Sequence, residues 1–192
     1  MPTRRRPLRR LHDPRDMRAL AHPTRIALLE ALGLHGPLTA TEAGRYVDES
    51  PSSCSYHLRI LARHGFVEEA EGGVGRERPW RARDQGLAIG DPEDPETRVA
   101  ASALADLFLD RYLARIQAAW SQRDRLPRTW RRATDFQQSV QWLTATEARS
   151  VNQEVFAIFQ RYDDRRDPAL RPKGAKPVEM LHFSYPVDPP QQ

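Results

Sequence analysis

Residues 50–69 read SPSSCSYHLRILARHGFVEE, and the rest of the chain is interpreted outward from them. Ser50 suits a helix N-cap, and Pro51 suits the first helical position, where a missing N–H costs nothing. Cys54, Leu58 and Leu61 recur at i, i+4 and i+7, one stripe for a core. Ser52, Ser53, Ser55, Tyr56 and Arg59 lie mostly off that stripe. Gly65 supplies a left-handed stop, and Phe66-Val67 begin an extended segment. Small polar residues on the outer N-terminal half would let such a helix approach base edges in a major groove. Taken alone, the stretch is equally an amphipathic helix with a solvated face.

The flanks decide between these readings. Thr39 and Glu42 form a T-x-x-E capping box on a short predicted helix, 40–46, joined to the longer one by the turn 47–50. Two short extended runs, 66–71 and 76–83, bracket Gly72-Gly73-Val74-Gly75. They predict a hairpin edged by Arg76, Arg78, Arg81 and Arg83. The glycines are a wing tip rather than a phosphate loop, since no GK[ST] follows. Helix, turn, helix and basic hairpin in this order describe a winged helix–turn–helix.

Residues 17–82 resemble the arsenical-repressor (ArsR) family of bacterial winged-helix regulators. The resemblance is carried by MRALAHPTRIALLEAL (17–32), SPSSCSYHLRILARHGFVE (50–68) and EGGVGRERPWRA (71–82). It implies a dimeric, operator-binding transcription regulator, more a repressor than an activator. Metal-sensing members of that family place paired cysteines before the reader helix, or His and carboxylate ligands along the dimer helix. Here the first location is Thr41-Glu42-Ala43-Gly44, and the long helix lacks histidine, so no metal site is expected.

The bulk figures fit this reading. The chain has 192 residues and a formal charge of +4. Residues 1–90 hold 15 Arg and 11 Asp or Glu, whereas residues 91–192 balance at 15 of each sign, so the excess lies in the half with the reader. No apolar run approaches the ~18 residues of a membrane span, and no apolar segment follows the basic start, so neither a membrane anchor nor a secretory signal is expected. One cysteine excludes an internal disulfide and fits a reducing cytoplasm.

The domain organisation follows in order. Residues 1–12 are expected to be a disordered basic arm, with a DNA-tracking role for its arginines as the alternative to a solvated tail. Residues 13–90 form the winged helix–turn–helix domain. Within it, helices begin at Asp13-Pro14 and Pro23, the second burying Ile26, Leu29 and Leu32. Arg25 is open between a phosphate contact and a solvated cation. Residues 91–128 comprise the end of an Asp/Pro/Gly linker (84–96) and a long helix, about 95–125. Its two apolar stripes, Leu104, Phe108, Tyr112 and Leu109, Leu113, Ile116, Trp120, exceed what one small domain covers and suggest the same helix of a second subunit. Burial against the chain's own C-terminal half is the alternative.

Residues 129–187 predict a small β-α-β unit. Phe136, Val140 and Trp142 alternate as one strand. Thr144 and Glu147 cap a helix to about 166 with Val151, Val155, Ile158, Phe159 and Tyr162 inward. Leu181, Phe183 and Tyr185 alternate as a second strand within 177–187. Residues 188–192 are a tail. The aromatics here admit a pocket for a small apolar effector formed by Trp120, Phe136, Trp142, Phe159, Tyr162 and His182, with core packing as the competing explanation. Cys54, three residues before His57, is read as a core residue rather than a reactive thiol. The charges at 91–94 and 163–164 are read as linker and helix-end charges.

The fold class expected is therefore mainly α with small β. The function expected is a cytoplasmic, homodimeric, sequence-specific regulator on a palindromic operator in double-stranded DNA, without cofactor or catalysis. Ser52, Ser53, Ser55 and Tyr56 are assigned to base edges, Arg59 to phosphate, and Arg76 and Arg78 to the wing's backbone or minor-groove contacts. Control by a protein partner or by protein level replaces the effector in the alternative reading. An enzyme with a winged-helix tether is the remote one.

Overall fold

The computed structural model describes residues 9–73, 77–83, 87–89 and 92–188. The chain divides between Asp135 and Phe136 into two units, each described by itself.

The first unit begins with strand β1 (Arg9–Leu11), followed by helices α1 (Pro14–Leu20), α2 (Pro23–His35), α3 (Ala40–Val47) and α4 (Pro51–Arg63). Strands β2 (Val67–Glu69), β3 (Trp80–Ala82) and β4 (Leu87–Ile89) come next, then the long helix α5 (Pro95–Ser121) and the short α6 (Arg128–Ala133). Local chemistry sets these boundaries. Proline occupies the start of α1, α2, α4 and α5, behind the caps Asp13, His22, Ser50 and Asp94, whose side chains accept backbone N–H bonds. Thr39 and Glu42 complete a reciprocal capping box on α3. Gly65, at φ +70°, turns the chain out of α4, and Phe66 N–H then donates to the Leu61 carbonyl oxygen at 2.9 Å.

β2 and β3 pair antiparallel, with Val67 opposite Ala82. A bridge between Leu38 and Trp80 ties the α2–α3 connection to this hairpin through two backbone hydrogen bonds of 3.0 and 2.7 Å. Met17, Leu20, Ile26, Leu28, Leu32, Cys54, Leu58, Leu61, Phe66 and Leu104 form one buried cluster. The inner face of α2 is thus Ile26, Leu28, Ala31 and Leu32, with Leu29 at its half-buried edge.

Several expectations are corrected here. Residues 9–11 do not belong to a disordered arm. They form β1, which pairs parallel with β4, and Leu11 is buried. Arg9 is held by Asp16 Oδ2 at 2.7 Å and by the His64 carbonyl oxygen at 2.9 Å, with its guanidinium 4.3 Å from the Phe66 ring centre. Arginine-rich composition masked one apolar residue and a cation with three fixed partners. By the same pairing, the expected linker 84–96 contains strand β4. Residues 1–8 of the arm, and 189–192 of the tail, lie outside the described residues.

α5 buries Thr97, Ala100, Ala101 and Leu104 along its first half. Farther along, Leu109, Leu113 and Trp120 are exposed, while Phe108, Tyr112 and Ile116 are half-buried. Glu30 of α2 receives Arg111 through both carboxylate oxygens and Arg115 at 2.8 Å, fixing the middle of α5.

The second unit contains helix α7 (Ala145–Gln160) and two short 3₁₀ turns, 163–166 and 168–170. Its capping box of Thr144 and Glu147 is present. The expected β-α-β unit is not: no strand occurs among its described residues, and α7 buries no residue. Alternation in 136–142 and 177–187 marks segments able to join a ladder, yet two such segments alone do not secure one. Phe136 is 71% exposed and Trp142 89%. These are two of the six residues from which an effector pocket was expected. Phe159 is half-buried, Tyr162 is exposed, and His182 Nε2 is hydrogen-bonded to Asn152 at 2.8 Å. Trp120 belongs to the first unit.

Candidate nucleic-acid interface

α4 turns two chemically distinct faces to its surroundings. Cys54, His57, Leu58 and Leu61 point into the core. Ser52 and Arg59 are exposed, Ser53 and Ser55 half-buried, and Tyr56 is 60% exposed. The helix is presented by a tight crossing. Gly44 of α3 lies against the turn, Asp48 takes a left-handed φ of 56°, and Glu49 N–H donates to the Gly44 carbonyl oxygen at 3.2 Å.

Ser52, Ser55 and Arg59 line a cleft of about 410 Å³ together with Ala40, Thr41 and Pro51 on one side and Glu69, Glu77, Arg78 and Trp80 of the hairpin on the other. The structure thus brings four of the sequence-assigned residues, Ser52, Ser55, Arg59 and Arg78, to one concavity. Ser53 and Tyr56 are not part of this lining. Tyr56 instead borders a shallower depression of about 370 Å³ with Arg59, Ala62, Arg63 and Trp80. Arg76 and the glycine tip at 74–75 lie outside the described residues. Ser52 Oγ is 3.0 Å from Ser50 Oγ, so the cap and the first outward hydroxyl share a hydrogen bond.

The charge of the hairpin is less available than its composition suggests. Glu68 binds Arg81 at 2.8 Å and Arg83 at 3.4 Å, so two of the four arginines share one internal carboxylate. Thr41 Oγ donates to Glu77 at 2.8 Å and pins the hairpin base to α3. Arg59, Arg63 and Arg78 make no ion pair among the described residues. Trp80, Arg63 and the Thr41–Glu77 bond were missed by sequence reasoning. Arg63 had a signal, lying four and seven residues after Arg59 and Tyr56 on one helical ridge.

Beneath Tyr56 the packing is aromatic. The His22 and His57 rings are centred 4.5 Å apart, and Tyr56 meets His57 edge-on at 5.2 Å. Burial lowers the pKa of both imidazoles, and the Arg25 charge lowers them further, against an opposing pull from Glu49. Cys54 is fully buried and its thiol pKa is raised, first by burial and then by Glu49, which agrees with its reading as a core residue. Among the described residues, no group of three or more His, Cys, Asp and Glu side chains is placed to hold a metal ion. No helix among them is long and apolar enough to cross a membrane.

Residues 20–70 match the family described as Helix-turn-helix domain. The comparison with curated proteins gave no match. Among solved structures, the chain is similar to reduced HlyU from Vibrio cholerae, at 21% identity over 48% of this chain and 83% of that one, with a TM-score of 0.30. It is also similar to an ArsR-family transcriptional regulator, at 25% identity over 56% of this chain and 88% of that one (TM-score 0.31). A MarR-family transcription regulator matches at 14% identity over 79% and 78%, with a TM-score of 0.33. The family match over residues 20–70, the capped α3–turn–α4 pair and the β2–β3 hairpin that follows it together make a winged helix–turn–helix, a fold whose second helix can enter a DNA major groove.

Proposed function

We propose that the protein is a cytoplasmic homodimeric repressor that reads a palindromic operator in double-stranded DNA. The observation that carries this is the outer face of α4. Ser52, Ser53, Ser55, Tyr56 and Arg59 remain solvent-accessible, while the opposite face is sealed in the core. Hydroxyls of that size fit against base edges, Arg59 reaches phosphate, and Arg78, with Arg76, continues the contact from the hairpin. The exposed ridge Leu109, Leu113 and Trp120 on α5 supports pairing of two copies, which matches a two-fold operator with half-sites about one helical turn apart.

No catalytic step belongs to this reading. Control by a protein partner or by protein level is the alternative to a small apolar effector, and the 71% and 89% exposure of Phe136 and Trp142 supports it. The deciding experiment is selection of genomic fragments by the pure full-length protein, with sedimentation of the complex. An inverted repeat bound by two copies is expected. Salt-insensitive association, or equal affinity for all duplexes, would overturn the proposal.

A further inference from the structure

Arg25, in the first turn of α2, is half-buried within electrostatic reach of Tyr56 on α4. Its Nε is sealed from solvent and has no hydrogen-bond partner among the described residues. One terminal nitrogen donates to the Arg18 carbonyl oxygen over a long 3.4 Å. Burial pushes the guanidinium pKa down, opposed only by the Tyr56 hydroxyl, a group that is uncharged near neutral pH. Glu49 is engaged with the Thr24 hydroxyl at 3.1 Å. His22 and His57 lie near the same guanidinium, and imidazoles, being neutral or cationic, supply no anion.

Two other partly buried arginines of this unit are treated differently. Arg9 is bound by Asp16 and Arg111 by Glu30, with arginine side chains 22% and 31% exposed. A cation withdrawn from water without a counter-ion is unfavourable. Arg25 makes no ion pair among the described residues, and it lies near Tyr56, the exposed aromatic side chain of the helix assigned to DNA. A guanidinium matches a phosphodiester, offering paired N–H donors to a single delocalised negative charge.

We propose that Arg25 binds a backbone phosphate of the duplex, next to the base edge that Tyr56 faces, so that α2 as well as α4 touches the DNA. The His22 and His57 rings, centred 4.5 Å apart and tilted by 38°, lie beside both Tyr56 and Arg25. This rests on the DNA-binding reading above.

The test uses the full-length protein with Arg25→Gln and Arg25→Lys, titrated on its selected operator and on random duplex at several salt concentrations, with melting temperatures measured in parallel. Arg25→Gln should weaken both duplexes by a similar factor, about tenfold at low salt, and reduce the slope of log affinity against log salt by about one. Its melting temperature should hold or rise, since an uncompensated charge has gone. Arg25→Lys should recover part of the affinity. An unchanged slope in Arg25→Gln would overturn the proposal while leaving the DNA reading intact. So would a lower melting temperature whose DNA defect Arg25→Lys does not repair. Stabilisation by millimolar inorganic phosphate that depends on Arg25, with unchanged DNA affinity, would show a small-anion site instead and also overturn it. Absence of duplex binding by the unmodified protein would remove both readings at once.

Discussion

A Cβ atom on Gly44 would stand 2.5 Å from the carbonyl oxygen of Glu49. That oxygen is backbone, so the crossing of α3 and α4 can relieve the overlap only by moving the turn. Gly44→Ala is expected to lose about 1–3 kcal/mol of stability. Denaturant midpoints with an unchanged slope would check it, and a variant as stable as the parent would show that the crossing is not tight.

Acid should destabilise the fold through His22 and His57. Unfolded, each imidazole takes up its proton near pH 6.5; folded, each does so at lower pH, held down first by burial and then by neighbouring cations. Their contribution is therefore complete above pH 6.5 and lost as pH falls from there toward the lowered folded values. Melting temperatures from pH 7.5 to 5 should drop, and the drop should shrink in a His22→Asn, His57→Asn variant relative to the parent.

The division of labour on α4 separates two variants. Arg59→Ala should weaken every duplex and lower the salt slope by about one, whereas Ser53→Ala should lose about 1 kcal/mol of discrimination at one base position. Matching losses on operator and random DNA for both would contradict the assignment.

Pairing through α5 makes Leu113 a sensitive position, because it is 55% exposed between Leu109 and Trp120, which are themselves 41% and 53% exposed. Leu113→Glu should sediment as a monomer, keep its helical circular dichroism, and lose operator affinity on the order of a hundredfold as two linked contacts become one. A variant that stays dimeric would place the pairing surface elsewhere.

What could be foreseen from the chain alone follows the range of the forces involved. Ser50, Thr39 with Glu42, and Gly65 act within one turn of the residues they organise, so the ends of α3 and α4 fall where spacing placed them. β1 was hidden because its partner lies far away in sequence, Arg9 opposite Leu87, and three residues carry too little pattern to announce such a pairing. Phe136 to Trp142 misled for the complementary reason: alternation describes one strand's readiness, not the presence of its mate. In the interface, exposure of Ser52 and Arg59 followed from helical phase. The capture of Arg81 and Arg83 by Glu68 depends on cross-strand register, which composition does not encode.

The parallel pairing of Arg9–Leu11 with Leu87–Ile89 brings the entry and exit of the winged-helix unit to one edge. An expression fragment trimmed to begin at Asp13 would lack Leu11, the Arg9 clamp on Asp16 and His64, and the ladder partner of residues 87–89. Such a fragment would bare a strand edge able to recruit a neighbouring molecule, so a well-behaved minimal domain starts upstream of Arg9 and carries any fusion tag on that side.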